Sequence, residues 1–161
     1  MELESRLDRY LQDYPQAPRP VILASRLLLR AAHLLEAHID KALQPHGLTM
    51  RQYLALVIIR ADGDQPINPS ALSVSLDATR TQITRLLDGL ERVGLVVRVH
   101  SQQDRRTLTL QLSSAANVLL QQATPAVHAA YQRAWDAVGE TALPGISGGL
   151  AKLNHTLSDA P

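Results

Sequence analysis

Apolar residues recur at two different periods along this chain. The change between the periods separates a series of helices from one short ribbon. Residues 1–14 can form a short helix with Leu3, Leu7, Tyr10 and Leu11 on one side, before Pro15, Pro18 and Pro20 interrupt. Pro20 suits the first position of a long helix, where a missing N–H costs nothing. That helix is predicted to run to about Leu43, ahead of Pro45 and Gly47. Leu28, Ala32, Leu35, Ile39 and Ala42 form its stripe, and Leu27, Ala31 and Leu34 broaden it. A stripe this wide implies contacts on two sides, one of them open to a second subunit. Thr49-Met-Arg-Gln52 reads as a capping box opening a helix to about Ala61, followed by a turn cluster at 61–66. Asn68-Pro69 opens a short helix to Ser75. After a tight turn at Leu76-Asp77-Ala78, Thr79-Arg-Thr-Gln82 is a second capping box. It opens a helix to about Val93 with Ile83, Leu86, Leu87 and Leu90 inward, closed by Gly94.

The period then becomes two. Leu95, Val97 and Val99 alternate with Val96, Arg98 and His100, and Leu108, Leu110 and Leu112 alternate with Thr107, Thr109 and Gln111. Such alternation predicts two half-buried strands, with Leu95, Val97 and Val99 as the apolar face of the first. The polar connection between them carries Asp104-Arg105-Arg106. Helical spacing returns from a cap at Ser113 to about Val138, through Leu120, Ala123, Val127, Ala130 and Ala134, with Tyr131 and Trp135 beside them. A last helix, about Leu143 to Leu157, carries Gly145, Gly148 and Gly149, each costing about 1 kcal/mol relative to alanine. It needs tertiary or intersubunit packing to persist.

A short helix, a three-residue turn and a longer helix ahead of an arginine-tipped hairpin make a helix-turn-helix with a wing. The second helix of that unit is the one that enters a DNA major groove. Its outward residues are Arg80, Thr81, Gln82, Thr84, Arg85 and Asp88. Arginine, glutamine and threonine are the types that read base edges or hold phosphates. Thr79 at the helix start, Arg98 in the first strand and Arg105 and Arg106 at the wing complete the predicted DNA contacts, with Asp104 shaping the wing. The formal net charge is only +1, so a nucleic-acid surface must be local. From Asp77 to Arg106 there are six arginines against four acids, which supplies it.

Other chemistry is thinly represented. There is no cysteine, which excludes disulfides, thiolate metal sites and thiol redox switches. His33 and His38 are five apart and do not share a helix face, and His33 with Glu36 gives only two ligands, so no metal site or other cofactor is predicted. Tyr53, His33, His38 and Trp135 are candidates to line a small-molecule pocket, each equally readable as packing with a satisfied polar tip. No serine elbow or glycine-rich phosphate loop is present, and no enzyme is predicted. The N-terminus lacks an apolar signal core and no stretch reaches the ~20 apolar residues of a membrane span. A soluble cytoplasmic protein without membrane contact is the expectation.

The ordered set Leu48-Thr49-x-x-Gln52-Tyr53-x-x-Leu56, Thr84-Arg85-Leu86-Leu87-Asp88, Leu90-Glu91-Arg92-Val93-Gly94-Leu95-Val96 and Asp104-Arg105-Arg106 resembles the MarR family, the multiple-antibiotic-resistance type of transcriptional regulator. The resemblance spans about Pro20 to Leu157. Within the family, Asn68-Pro-Ser-Ala-Leu72 and Ser75 to Arg85 are most similar to the EmrR/MprA-like branch, which represses multidrug efflux genes. The resemblance implies a mainly α fold: a winged helix-turn-helix with a two-stranded β-wing and additional N- and C-terminal dimerisation helices. In this chain that gives an N-terminal extension at 1–19, a DNA-binding lobe at 47–112 and a helical dimerisation region from 20–46 and 113–161. It further implies a homodimer on an inverted-repeat operator in double-stranded DNA, loosened by a small aromatic or phenolic effector in a pocket beside the lobe. Ser114-Ala-Ala and Gly89 depart from the family pattern. A helical protein–protein adaptor, or a small-molecule-binding protein without DNA binding, is the alternative reading.

Overall fold

The computed structural model describes residues 2–63, 67–100 and 108–159. Among them are seven α-helices and one antiparallel ribbon: α1 Glu2–Leu11, α2 Arg19–Leu43, α3 Met50–Ala61, α4 Pro69–Ser75, α5 Arg80–Arg92, β1 Val96–His100, β2 Leu108–Leu112, α6 Ser114–Trp135 and α7 Leu143–Ser158. The chain divides into two compact units, 1–38 and 39–161, with the boundary inside α2.

In the first unit, Arg19 Nε donates to Asp8 Oδ1 at 2.6 Å, tying the start of α2 back to α1. The Arg19 guanidinium holds the Asp8 carboxyl below its ordinary range. Tyr10 and Tyr14 stack tilted with ring centroids 5.1 Å apart. Val21, Leu27, Leu29 and Leu34 on α2 are all exposed.

The second unit holds the core. Leu43, Leu56, Leu72, Leu87, Leu90, Leu110, Leu120 and Val127 are sealed from solvent, so every helix from α3 to α6 and the second strand contributes to one apolar interior. Each helix of the lobe starts where a side chain satisfies an otherwise orphaned N–H. Thr49 and Gln52 form a complete capping box, as do Thr79 and Gln82, while Asn68 accepts from Ala71 N and Ser113 from Ala116 N. The Asp40 carboxylate accepts a further bond, 2.5 Å, from Met50 N at the positive end of the α3 dipole. The turn between α4 and α5 is held by Ser73, whose hydroxyl donates to the Ala78 carbonyl while its own carbonyl accepts from Ala78 N. Asp77 takes the left-handed conformation there, φ 47°.

β1 pairs with β2 in the register Val96↔Leu112, Arg98↔Leu110, His100↔Leu108. Residues opposite one another share a face, so the leucines of β2 lie with Val96 and Arg98. Val96 is 1% exposed and Val97 48%. The expected inward face of β1, with Val97 and Val99, is therefore corrected: the inward face is that of Val96 and Arg98. Leu95, also buried, precedes the strand and accepts from Ser113 N at 3.0 Å. Leu110 N donates to the Ile67 carbonyl at 2.9 Å, fastening the ribbon to the entry of α4. The hairpin tip, with Asp104, Arg105 and Arg106, lies outside the described residues. Helix α6 ends at Trp135 rather than at Val138, because the chain turns there and Val138 N returns to the Trp135 carbonyl. α7 has no buried residue.

Two glycines of the recognition segment carry opposite expectations. Gly94 closes α5 with φ 72°, and its N–H donates to the Glu91 carbonyl. Gly94→Ala will destabilise the fold by about 1–2 kcal/mol, the cost of a left-handed alanine. Gly89 lies within α5 with ordinary helical backbone, and a Cβ added there meets nothing within 4 Å. Gly89→Ala will stabilise by about 0.5–1 kcal/mol through helix propensity alone. Urea midpoints moving in the same direction for both variants would refute this pair.

Candidate nucleic-acid interface

Helix α5 separates two faces cleanly. Ile83, Leu87 and Leu90 are buried, whereas Arg80, Thr81, Gln82, Thr84, Arg85 and Asp88 are exposed along the opposite side. Burial of one face fixes the helix on the lobe and leaves the polar face presented outward as a rigid unit. The predicted contact residues of α5 are thus brought together on one surface, with Thr79 at its start.

Two of them have local duties as well. Gln82 Oε1 accepts from both Thr79 N, 2.8 Å, and Thr79 Oγ1, 3.0 Å, so its acceptor is committed to the cap. Gln82 can reach a base only as a donor, through Nε2. Thr84 Oγ1 donates to the Arg80 carbonyl at 2.9 Å, which leaves its oxygen as an acceptor. Arg80 and Arg85 are the long cations of the face and suit phosphate or guanine recognition.

The starts of α3 and α5 converge on a cleft of about 470 Å³, lined by Thr49, Arg51, Gln52, Gln82, Arg85 and Leu86 among others. Sequence reasoning passed over Arg51. Its signal was available: an arginine two places after a cap lies in the first helical turn, where free N–H groups already favour an anion.

Arg98, predicted as a DNA contact, sits differently. Its Nη2 is 2.5 Å from Asp88 Oδ1 and its Nη1 is 3.5 Å from Glu91 Oε2. Its side chain is 24% exposed. The structure places it between ribbon and helix rather than on the outward face of α5.

Of the residues suggested for a ligand pocket, His33 and His38 belong to the first unit and Tyr53 and Trp135 to the second. Tyr53 is buried, and its hydroxyl donates to Thr124 Oγ1 of α6 at 3.2 Å. Trp135 lines another cleft, about 630 Å³, between α6 and α7, with Tyr131, Asp136, Leu143 and Ile146. His33 is exposed on α2, and His38 Nε2 is buried with no hydrogen-bond partner among the described residues. Groups of three or more His, Asp or Glu placed to hold a metal are absent among the described residues.

Burial pushes the Tyr131 phenol above its ordinary range, and the neighbouring Tyr53 adds to the shift. A raised folded-state value means that the unfolded chain ionises first. The resulting contribution to stability is complete below the ordinary phenol range and is lost as pH rises through the folded value. In an absorbance titration, Tyr131→Phe will remove a phenol that ionises above the ordinary range; an unchanged high-pH limb would contradict the assignment.

Residues 46–107 match the profile of the MarR family. Over 139 residues the chain is 32% identical to the transcriptional repressor MprA of Escherichia coli strain K12, covering 86% of this chain and 77% of MprA. Among solved structures, the Mycobacterium tuberculosis transcriptional regulator MOSR in complex with DNA superposes with a TM-score of 0.71 at 28% identity, over 84% of this chain and 96% of that one. CouR from Rhodococcus jostii RHA1, bound to p-coumaroyl-CoA, gives a TM-score of 0.69 at 27% identity, over 79% of this chain and 88% of that one. No described helix is long and apolar enough to cross a membrane.

Proposed function

The chain belongs to the MarR family of transcriptional regulators, and on that premise we propose that it is a homodimeric repressor of an inverted-repeat operator, released by a small aromatic or phenolic compound. The observation that carries the reading is the division of α5: an apolar face locked into the lobe, and Arg80, Thr81, Gln82, Thr84 and Arg85 together on the other. A helix so presented fits one major groove. Two subunits then read half-sites one helical turn apart, ~34–36 Å. The wing arginines Arg105 and Arg106 reach the flanking minor groove, where a narrow A·T-rich stretch is most electronegative. The exposed apolar residues of α2 and the unburied helix α7 support a second copy of the chain as the subunit partner.

An aromatic effector is supported by the relative CouR, which holds p-coumaroyl-CoA. With no cysteine in the chain, release works by noncovalent binding and not by thiol oxidation. Such a ligand shifts the equilibrium only by its difference in affinity for the DNA-competent and DNA-incompetent dimer geometries.

The test is a mobility shift with the DNA upstream of the chain's own gene, followed by titration of salicylate-like and uncoupler-like phenols into the complex. Absence of a shift on that DNA and on duplexes selected from a randomised pool would refute DNA recognition. Within this reading, Arg85→Ala will weaken operator and scrambled DNA alike and reduce the slope of log affinity against log salt by about one, as expected for a phosphate contact. Gln82→Ala will instead act on sequence preference, with a loss of helix stability of about 0.5–2 kcal/mol from the broken capping box. Identical small losses on both DNAs for both variants would count against that division.

A further inference from the structure

An arginine on the inward face of a ribbon has to be neutralised by what the ribbon packs against. Arg98 shares its face with Val96 and, through the strand register, with Leu110 and Leu112. That face is the one turned to the lobe, since Val96 and Leu110 are both buried. An arginine side chain that is 24% exposed has lost most of its water and needs anionic partners in return. Among the described residues it has two, both from the recognition helix: Asp88 Oδ1 at 2.5 Å from Nη2 and Glu91 Oε2 at 3.5 Å from Nη1. The two acids are three apart on α5 and so lie on neighbouring turns of one side, spaced for the two nitrogens of one guanidinium.

We infer that Arg98 is a positioning residue that braces the wing against the recognition helix, and that the Asp88–Arg98–Glu91 cluster sets how the wing and helix α5 engage DNA together. The inference rests on the DNA-binding reading above and deepens it. Its counterpart is that Asp88, an exposed acid on the DNA-facing helix, aids recognition despite its charge. Without the brace, an aspartate there would only repel phosphates. The backbone supports the same division of labour. Leu95 N returns to the Leu90 carbonyl and Ser113 N to the Leu95 carbonyl, fixing the base of the ribbon. Farther along β1, Arg98 ties the ribbon to α5 through its ion pairs.

The experiment compares three variants of the full chain with the wild type: Arg98→Gln, the double variant Asp88→Asn with Glu91→Gln, and the triple combination. The DNA is a duplex selected from a randomised pool by the wild-type protein, set against its scrambled version. Both acids are about half exposed, so their amides leave the fold intact, which circular dichroism checks. A brace predicts that the acid-side variant lowers the selected-to-scrambled affinity ratio about tenfold even though it removes two negative charges. Arg98→Gln lowers the ratio to the same extent, and the triple variant lowers it no further. Amide exchange at Val97 and Val99, measured without DNA, quickens in all three variants. Were Arg98 a direct phosphate contact, the acid-side variant would bind both DNAs at least as tightly as wild type, and that result overturns the proposal. Unchanged exchange in β1 overturns it as well. A wild-type protein that selects no duplex refutes the regulator reading instead, and the exchange measurement still decides whether the brace exists.

Discussion

Replacing Leu90 with alanine will destabilise the protein by about 2–5 kcal/mol, the range for a leucine truncated in a close-packed core. Leu90 is fully sealed from solvent and is the last inward residue of α5, after Ile83 and Leu87. Its carbonyl accepts from Leu95 N at 2.9 Å, so the residue also anchors the point where the helix turns into the ribbon. The surroundings cannot readily collapse into the void, because the backbone on both sides is pinned by the Gly94 turn and by the bond from Ser113 N to Leu95. Both the lost transfer energy and the cavity term therefore apply. Urea unfolding at one fixed protein concentration reads the effect, since a dimer's midpoint moves with concentration. Val93→Ala, three residues on and 61% exposed, is the comparison and will change stability by about 0.5 kcal/mol or less. A Leu90→Ala cost no larger than that of Val93→Ala would mean that α5 is not seated as described. Operator affinity will fall with stability, because the contact face of α5 is only as rigid as its buried face.

The lobe was legible because its signals are local. A cap joins residues three apart, so Thr49 with Gln52, Asn68 with Ala71 N, Thr79 with Gln82 and Ser113 with Ala116 N can be read from the chain before any packing is known. The left-handed Gly94 is of the same kind. These devices fixed the helix starts, and the period of three to four then told which side of α5 is buried. The ribbon was less legible for a definite reason. Alternation states which residues share a face but not which face turns inward, and Leu95 to Val99 is apolar at four of its five positions. With Leu95, Val97 and Val99 on one face and Val96 and Arg98 on the other, the alternation favours the wrong face. The arginine is tolerated inward because Asp88 and Glu91 wait for it, a fact that appears only once the chain has reversed at Gly94. The double use of Gln82, as cap and as outward side chain, was visible in its two motif memberships, but which of its atoms remained for a base was not.

Removing both wing arginines will have the largest effect on DNA binding. In the double variant Arg105→Ala with Arg106→Ala, operator affinity will fall by about 1–3 kcal/mol for each arginine that touches DNA, hence roughly thirtyfold to twenty-thousandfold for two such contacts. The described strands end opposite one another at His100 and Leu108, and the arginines belong to the connection between them. Both are charged residues of a polar connection in the sequence, so unfolding midpoints are expected to stay within about 0.5 kcal/mol of wild type. Arg106→Ala alone will account for more of the loss than Arg105→Ala, although the joint effect is the firmer expectation because either arginine can pair with Asp104. The loss will be greater on operators with A·T-rich flanks, since a narrow minor groove concentrates the negative potential that an inserted arginine feels. Titrations over a range of salt, on operators whose flanks are A·T-rich or G·C-rich, test this directly. Equal affinity of wild type and double variant on both flanks would remove the wing from the interface and leave recognition to α5 alone.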